Sequence, residues 1–283
     1  MPEAFDLDCY FQRIGYRGPA RPTLPVLRDL IHHHMAQIPF EGIDVLMNRG
    51  IRIDAAGIVQ KLVAEKRGGY CFEQTGLMRL ALEQIGFPVQ QHLARVWLRR
   101  NPASDTPGAA THTSLKVEAD GRLWLVDVGF GSFMPVEPIA WQTDTPTVTG
   151  WGSYRLVKTG NGLLLSSQHE GEWRPLYEIL DFNWQPIDFV IANHYVATHP
   201  DSHFRHDLNL ARTTAGERRT IAGNVFRRTT PDGTSTTEIL DAAGLATSIE
   251  REFGLVVQPQ WQPMLQSFAA GRIWNDAELQ AKG

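Results

Sequence analysis

The chain has 283 residues, two cysteines and a formal net charge of −4 at pH 7. Its hydrophobic fraction of 42% and charged fraction of 20% are typical of a globular protein, and the charge gives no reason to expect nucleic acid or an anionic membrane as a partner. Two cysteines form neither a disulfide framework nor a four-ligand metal set. No apolar run reaches the roughly 20 residues of a membrane span, and the acidic N-terminus lacks a signal-peptide core, so we expect a cytoplasmic protein.

The first 88 residues are predicted to be mainly helical, because apolar residues recur at helical spacing between turn signals. The predicted helices run from Tyr10 to Ile14, from Thr23 to Gln37, from Ala55 to Lys66 and onward from Cys71. The second helix contains the run His32, His33 and His34. Consecutive helix residues point about 100° apart and cannot jointly chelate one ion, so we expect no metal there.

From Val89 to about Phe189 the pattern changes to short β-branched and aromatic runs separated by Gly, Pro and Asp, which indicates a small barrel or sandwich. The predicted strands are His92 to Leu98, Thr113 to Glu118, Arg122 to Val126, Tyr154 to Lys158 and Gly162 to Ser167. Asn101 to Thr113 is predicted to be a flexible linker. Later elements are predicted as strands at Thr220 to Thr229 and Ser235 to Leu240, and as helices at Ala242 to Phe253 and Pro263 to Ala270.

The run Arg67 to Gln74, RGGYCFEQ, places Cys71 where a glycine-rich turn meets a helix start. Glycines permit a sharp turn because they lack a Cβ and can adopt positive φ, and the free N–H groups of a first helical turn favour an anion. Since the thiolate is the reactive form of cysteine, this setting predicts a lowered thiol pKa and a nucleophile. The alternative is a buried cysteine that packs as a small apolar residue.

A nucleophilic cysteine needs a base, and the base needs a group that orients it. His112 and Asp127 lie on two predicted strands joined by Asp120-Gly121, a strong hairpin signal. His112 is eight positions before Asp120 and Asp127 is six after Gly121, so the difference of two keeps both side chains on one face. A solvent-facing histidine and a turn-forming aspartate are the alternatives for each residue alone, but together with Cys71 they favour a triad.

These residues resemble the motifs of the arylamine N-acetyltransferases, carried here by Arg67 to Gln74, Thr111-His112 and Val126 to Gly131. The similarity extends upstream to YFQRIGY at 10–16 and IPFEGIDV at 38–45, and more faintly downstream to 193–204 and 253–255. One departure is Gly42, because the family usually has asparagine after Pro-Phe-Glu. That difference affects a local loop hydrogen bond and not the triad.

The resemblance implies an α+β multidomain fold with a core like that of cysteine proteases and transglutaminases. Its three domains would be a helical domain at 1–88 carrying the nucleophile, a β-barrel domain at 89–192 carrying the histidine and the aspartate, and an α/β lid at 193–283. The implied function is that of an acetyl-CoA:arylamine N-acetyltransferase of xenobiotic metabolism. Acetyl-CoA is the implied co-substrate and an arylamine or arylhydrazine the acceptor, while homo-oligomerisation is left open.

In the implied reaction, a Cys71–His112–Asp127 triad transfers acetyl through a thioester on the cysteine, in ping-pong order. Phe40, Phe130 and Phe204 are predicted to line an apolar pocket for the aromatic amine. Plain core packing is the alternative for each of these phenylalanines.

Two further pairs of residues receive supporting roles. Gly129 and Gly131 are predicted to let coenzyme A phosphates approach backbone N–H groups, the alternative being a turn that ends the strand. Glu41 and Arg67 are predicted to form an ion pair that positions the Cys71 loop.

The same triad also fits hydrolysis or amide exchange on an amide substrate, as in a thiol peptidase or a transglutaminase-like enzyme. A third use is an amide synthase that closes a macrocycle from a carrier-bound acyl chain. A binding module that retains only the fold is disfavoured, because a scaffold gains nothing from a buried aspartate and a reactive thiol.

Overall fold

The structure is a computed structural model that describes residues 5–274. Its first region is helical, with α1 (Leu7–Ile14), α2 (Leu24–Gln37), α3 (Ile43–Leu46), α4 (Ala55–Val59) and α5 (Cys71–Ile85). The predicted end of α1 is confirmed, because Gly15 adopts the left-handed conformation that closes many helices. The helix predicted from Ala55 continues past α4 as a π-helical turn over Gln60–Ala64, a form often found at functional sites.

The middle of the chain forms an eight-stranded antiparallel sheet with the order β5-β4-β3-β2-β9-β8-β7-β6. Its strands are β2 (Val89–Val96), β3 (Ala110–Ala119), β4 (Arg122–Val126), β5 (Ile139–Ala140), β6 (Thr147–Thr149), β7 (Gly152–Lys158), β8 (Gly162–His169) and β9 (Glu172–Leu180). Asp120 and Gly121 both have positive φ, as the predicted tight hairpin requires. The linker prediction is wrong from Ala110 onward, since these residues pair with β2.

A second sheet has the order β1-β10-β11-β12-β13 and brings distant parts of the chain together. Its strands are β1 (Phe40–Glu41), β10 (Asn209–Thr213), β11 (Arg218–Ala222), β12 (Val225–Thr229) and β13 (Ser235–Ile239). The single strand predicted from Thr220 to Thr229 is wrong, because a turn at Gly223, with φ of 60°, folds the segment into two paired strands.

Three helices accompany this second sheet: α6 (Pro186–Thr198), α7 (Ala242–Phe253) and α8 (Gln262–Ala269). The two helices nearest the end of the chain confirm the sequence pattern. Helix α6 was not predicted, and it runs through residue 193, where the sequence placed the start of the third domain. Within residues 5–274, no helix has the length and apolar character needed to cross a bilayer.

One apolar cluster draws on every region of the chain and surrounds the predicted nucleophile. It includes Phe40 from β1, Cys71 from α5, Leu93 from β2, Phe189 from α6 and Ala211 from β10. The two sheets and the first helices therefore converge on Cys71.

Candidate active site

Cys71 is the first residue of α5, and the turn before it is compact because its glycines touch other groups. A Cβ on Gly68 would lie 2.2 Å from the carbonyl oxygen of Pro39, and one on Gly69 would lie 2.8 Å from Glu73 Oε2. Neither glycine has positive φ, so that part of the sequence-based reason was wrong, whereas the lack of a Cβ is confirmed as necessary. They are required for close backbone approach, not for a left-handed turn.

The Cys71 side chain is buried, with 3% of the residue exposed, and its Sγ lies 3.8 Å from the carbonyl oxygen of Thr111. Burial raises the thiol pKa, the negative charge of Asp127 acts in the same direction, and the Phe72 N–H at the helix start only partly offsets them. The prediction that the helix start lowers the thiol pKa is therefore wrong, because burial and the charge of Asp127 outweigh the helix N–H. Ionisation of the thiol needs a nearby proton acceptor that becomes positively charged.

His112 and Asp127 form a buried hydrogen-bonded pair, with 2.8 Å between Nε2 and Oδ2. A carboxylate accepts from Nε2–H, which leaves Nδ1 as the basic nitrogen of the neutral ring. The register pairs Leu115 with Val126, so its continuation sets Asp127 opposite Ser114, two residues from His112 on the same face. The prediction that His112 and Asp127 lie on the same face of the hairpin is confirmed.

The imidazole of His112 is held between two aromatic rings. Its centroid lies 4.9 Å from that of Phe130, edge-on, and 4.7 Å from that of Tyr177. Tyr177 belongs to β9, a strand that the sequence analysis did not predict, and so it was missed. These rings restrict the imidazole to one orientation.

Gly129 connects Asp127 to Cys71 rather than offering a free phosphate contact. Its backbone N–H donates to Asp127 Oδ1 at 2.8 Å, and a Cβ on it would lie 2.7 Å from Cys71 Cα. With this N–H already used, the predicted role in binding coenzyme A phosphates does not fit Gly129. Gly131 has φ of 77°, and a Cβ there would meet the Phe40 ring at 3.5 Å.

The three phenylalanines predicted to line a pocket lie near the thiol but in two groups. Phe40 and Phe204 have centroids 6.1 Å apart, and Phe204 meets Tyr70 edge-on at 5.5 Å. Phe130 instead packs against the His112 ring. The Phe204 ring also lies over Gly42, whose Cβ would be 3.0 Å from Phe204 Cδ1.

Beneath the Cys71 loop lies a buried cluster of charges. The predicted ion pair is present, with 2.7 Å between Arg67 Nη2 and Glu41 Oε1. Asp44 and Lys61 extend it, and Lys61 Nζ lies 2.7 Å from Glu73 Oε1. Burial disfavours the Lys61 ammonium, but the surrounding carboxylates outweigh it and raise its pKa.

The carboxylates of this cluster also hold the backbone of two segments, the start of α3 and the nucleophile's turn. Glu41 Oε2 accepts from the Ile43 N–H at 2.8 Å, and Glu73 Oε2 accepts from the Tyr70 N–H at 3.1 Å. Asp44 and Lys61 were missed because nothing in their local sequence indicates that they meet.

The histidine run in α2 is not arranged for metal binding. His34 is fully buried, with 3.0 Å from Nδ1 to Tyr10 Oη and 2.7 Å from Nε2 to Gln74 Oε1. Gln74 in turn donates to the carbonyl oxygens of Pro39 and Gly69. Over the described residues 5–274, no three His, Cys, Asp or Glu side chains lie close enough to hold a metal ion.

Comparison with known proteins relates most of the chain to the N-acetyltransferases. A family model described as N-acetyltransferase matches residues 23–262. The arylamine N-acetyltransferase of Mycobacterium tuberculosis strain H37Rv is 37% identical over 259 residues, which cover 90% of each sequence. A Salmonella typhimurium protein named arylamine N-acetyltransferase / N-hydroxyarylamine O-acetyltransferase is 36% identical over 253 residues, 89% of each. The structure of Mycobacterium marinum arylamine N-acetyltransferase in complex with CoA superposes with a TM-score of 0.86 at 34% identity, covering 93% of this chain and 98% of that one.

Proposed function

The chain belongs to the arylamine N-acetyltransferase family, and we propose that it moves an acetyl group from acetyl-CoA to an arylamine or arylhydrazine through a thioester on Cys71. The observation that carries this proposal is the buried His112–Asp127 pair beside the thiol at the start of α5. Family membership makes the protein an acyltransferase. The assignment of the three triad roles rests on the geometry.

In the first half-reaction, His112 Nδ1 takes the proton of the Cys71 thiol. The sulfur attacks the carbonyl carbon of the thioester, a new C–S bond forms, and the bond from that carbon to the sulfur of coenzyme A breaks. The proton on His112 passes to the departing thiolate, so free coenzyme A leaves and acetyl-Cys71 remains.

In the second half-reaction, the amine nitrogen attacks the acetyl carbon of the acetyl-cysteine. His112 removes a proton from that nitrogen, the C–Sγ bond breaks, and the proton returns to Cys71. Asp127 keeps Nε2 protonated throughout and stabilises the imidazolium that forms in each half-reaction. Because burial alone raises the thiol pKa, the general base is indispensable in this scheme.

We assign the binding of the acceptor's ring to the three phenylalanines predicted from the sequence. Phe40, Phe204 and Phe130 offer ring faces and edges, and aromatic pairs favour offset or edge-on contacts of this kind. Coenzyme A is the proposed second partner, as in the M. marinum complex. For its phosphates, Gly131 remains a proposed backbone contact and Gly129 does not.

The test is the intact mass of the protein after brief mixing with acetyl-CoA in the absence of an amine. We expect one added acetyl group, which an arylamine such as anisidine discharges. Cys71→Ala should gain none, whereas Cys9→Ala, which removes the exposed cysteine, should behave as the wild type. A wild-type protein that gains no acetyl group, or acetylation of Cys71→Ala equal to the wild type, contradicts the proposal.

A further inference from the structure

A cavity of about 840 Å³ lies at one end of the eight-stranded sheet, and the proposed reaction does not use it. Strands β2, β3, β7, β8 and β9 contribute to its wall, together with the turn 159–161, Trp141 and residues of the segment 181–184 that leads into α6. Its lining includes none of Cys71, His112 and Asp127. Its volume lies within the usual range of small-molecule sites.

The cavity carries an excess of positive charge. Arg95, Lys116 and Lys158 line it, and Asp181 is the carboxylate among the lining residues, so three positive charges less one negative leave two. In the described part of the chain, none of these three cations has a carboxylate within ion-pair distance. Lys116 Nζ instead lies 5.2 Å from the ring centroid of Trp141. Arg95 donates to the carbonyl oxygen of Gly108, so Lys116 and Lys158 are the cations left for a ligand, and cations beside an aromatic face are suited to a flat anion.

A buried acceptor completes the set of polar groups. His92 is 3% exposed, and its Nδ1 lies 3.3 Å from the carbonyl oxygen of Leu180. Since a carbonyl can only accept, Nδ1 carries the hydrogen and Nε2 keeps its lone pair. Burial also lowers the pKa of the ring, which keeps it neutral. Among residues 5–274, no donor reaches Nε2, and buried polar atoms without partners are rare in folded proteins.

Lys116 and the triad residue His112 lie on the same strand, but Lys116 is well separated from His112 along it. His112 and Lys116 are four residues apart on the same face of β3, which corresponds to roughly 13 Å along the strand. A ligand at Lys116 therefore does not occupy the space beside His112.

We propose that this cavity is a second binding site, for a phenolic carboxylate. The carboxylate lies against Lys116 and Lys158, the ring packs on Trp141, and the hydroxyl donates to His92 Nε2. Each group of the ligand contacts a different group of the cavity wall. Removing the ligand's hydroxyl and removing a cation of the wall should therefore each weaken binding independently.

Calorimetric titration of the full-length protein with 4-hydroxybenzoate tests the proposal, with benzoate as the matched ligand that lacks the hydroxyl. We expect one site for 4-hydroxybenzoate and at least fivefold weaker binding of benzoate. Lys116→Gln should weaken both ligands at least fivefold, and Arg17→Gln, at an exposed arginine outside the cavity, should leave both unchanged. Should Lys116→Gln fail to fold, Lys158→Gln, at an exposed position, serves in its place.

Two further titrations separate this site from the acceptor pocket. Saturating anisidine should not displace 4-hydroxybenzoate, because the amine binds beside Cys71. His92→Phe should bring the two ligands to equal affinity. No binding to the wild type, equal binding of the two ligands, unaltered binding by the lysine variants, or displacement by anisidine would each overturn the proposal. None of these outcomes bears on acetylation of Cys71, which the mass measurement tests by itself.

Discussion

Gly129 and Cys71 touch through their backbones, so the strand end that carries Asp127 and the helix that carries the thiol meet without any intervening side chain. A methyl group on Gly129 would lie 2.7 Å from Cys71 Cα and 3.2 Å from its carbonyl oxygen. The distance between Asp127 and Cys71 therefore depends on the absence of a Cβ at Gly129.

We expect Gly129→Ala to reduce acetyl transfer by at least a hundredfold, because the clash is with backbone and cannot be relieved by rotating a side chain. Overpacking of this kind also costs about 1–3 kcal/mol of the free energy of unfolding. Steady-state kinetics and urea unfolding measure the two effects. Gly150→Ala is the matched control, since a Cβ there meets no atom within 4 Å. Near-normal turnover of Gly129→Ala would show that the contact does not set the geometry of the triad.

Replacement of His112 should raise the pKa of the Cys71 thiol. Burial and the charge of Asp127 both raise it in the folded protein, and an imidazolium at His112 is the cation placed to oppose them. Ultraviolet absorbance of the thiolate, followed as a function of pH in the wild type and in His112→Asn, measures the change. Subtraction of the Cys71→Ala titration removes the signal of Cys9. An equal or lower thiol pKa in His112→Asn would exclude the histidine as the activating base.

The buried His34 should make the protein less stable in mild acid. Burial lowers its pKa from 6.5 to about 4, so the unfolded chain binds a proton that the folded protein resists. The contribution of neutral His34 to the free energy of unfolding is complete above pH 6.5. It is lost as the pH falls toward 4, and the total loss is about 3 kcal/mol. Urea unfolding across that interval should show a smaller decline for His34→Gln than for the wild type. The exposed neighbour supplies the control, His32→Gln, whose decline should match the wild type; identical curves for all three proteins would contradict the prediction.

Gly42 is expected to control the size of the acceptor. It precedes α3 with φ of −119°, a conformation open to alanine, but a Cβ would press on Phe204 at 3.0 Å. In Gly42→Ala we therefore expect the Phe204 ring to move and kcat/KM for a two-ring arylamine to fall about fivefold, or about 1 kcal/mol, relative to anisidine. Kinetics with both amines give the ratio, again with Gly150→Ala as control. An unchanged ratio would place Phe204 outside the acceptor pocket.

The parts of the site that could be predicted from sequence are those specified locally. The Asp120-Gly121 turn sets the register of its hairpin, and that register alone brings His112 and Asp127 to one face. The start of α5 at Cys71 is likewise set by the residues beside it. Such features depend on neighbours within a few positions, where turn and helix preferences act.

The missed parts depend on contacts between distant segments. Lys61 meets Asp44 and Glu73 only after α3, α4 and α5 have packed, and Tyr177 reaches His112 only through the pairing of β9 with β2. The sequence indicated that Gly68 needs no Cβ, but not that the group it must make room for is Pro39, in a distant segment. Periodicity and turn chemistry carry no information about these meetings.

The pairing of β1 with β10 also sets the order in which the enzyme is completed. Phe40 lies opposite Ala211 in the strand register, 171 positions later, and the Glu41 N–H donates to the carbonyl oxygen of Gly69 in the nucleophile's turn. Contacts so far apart in sequence require a large loop to close first, and we therefore expect them to form late in folding. During synthesis, Cys71 leaves the ribosome long before β10 does, so the unfinished chain carries the thiol without a finished site around it.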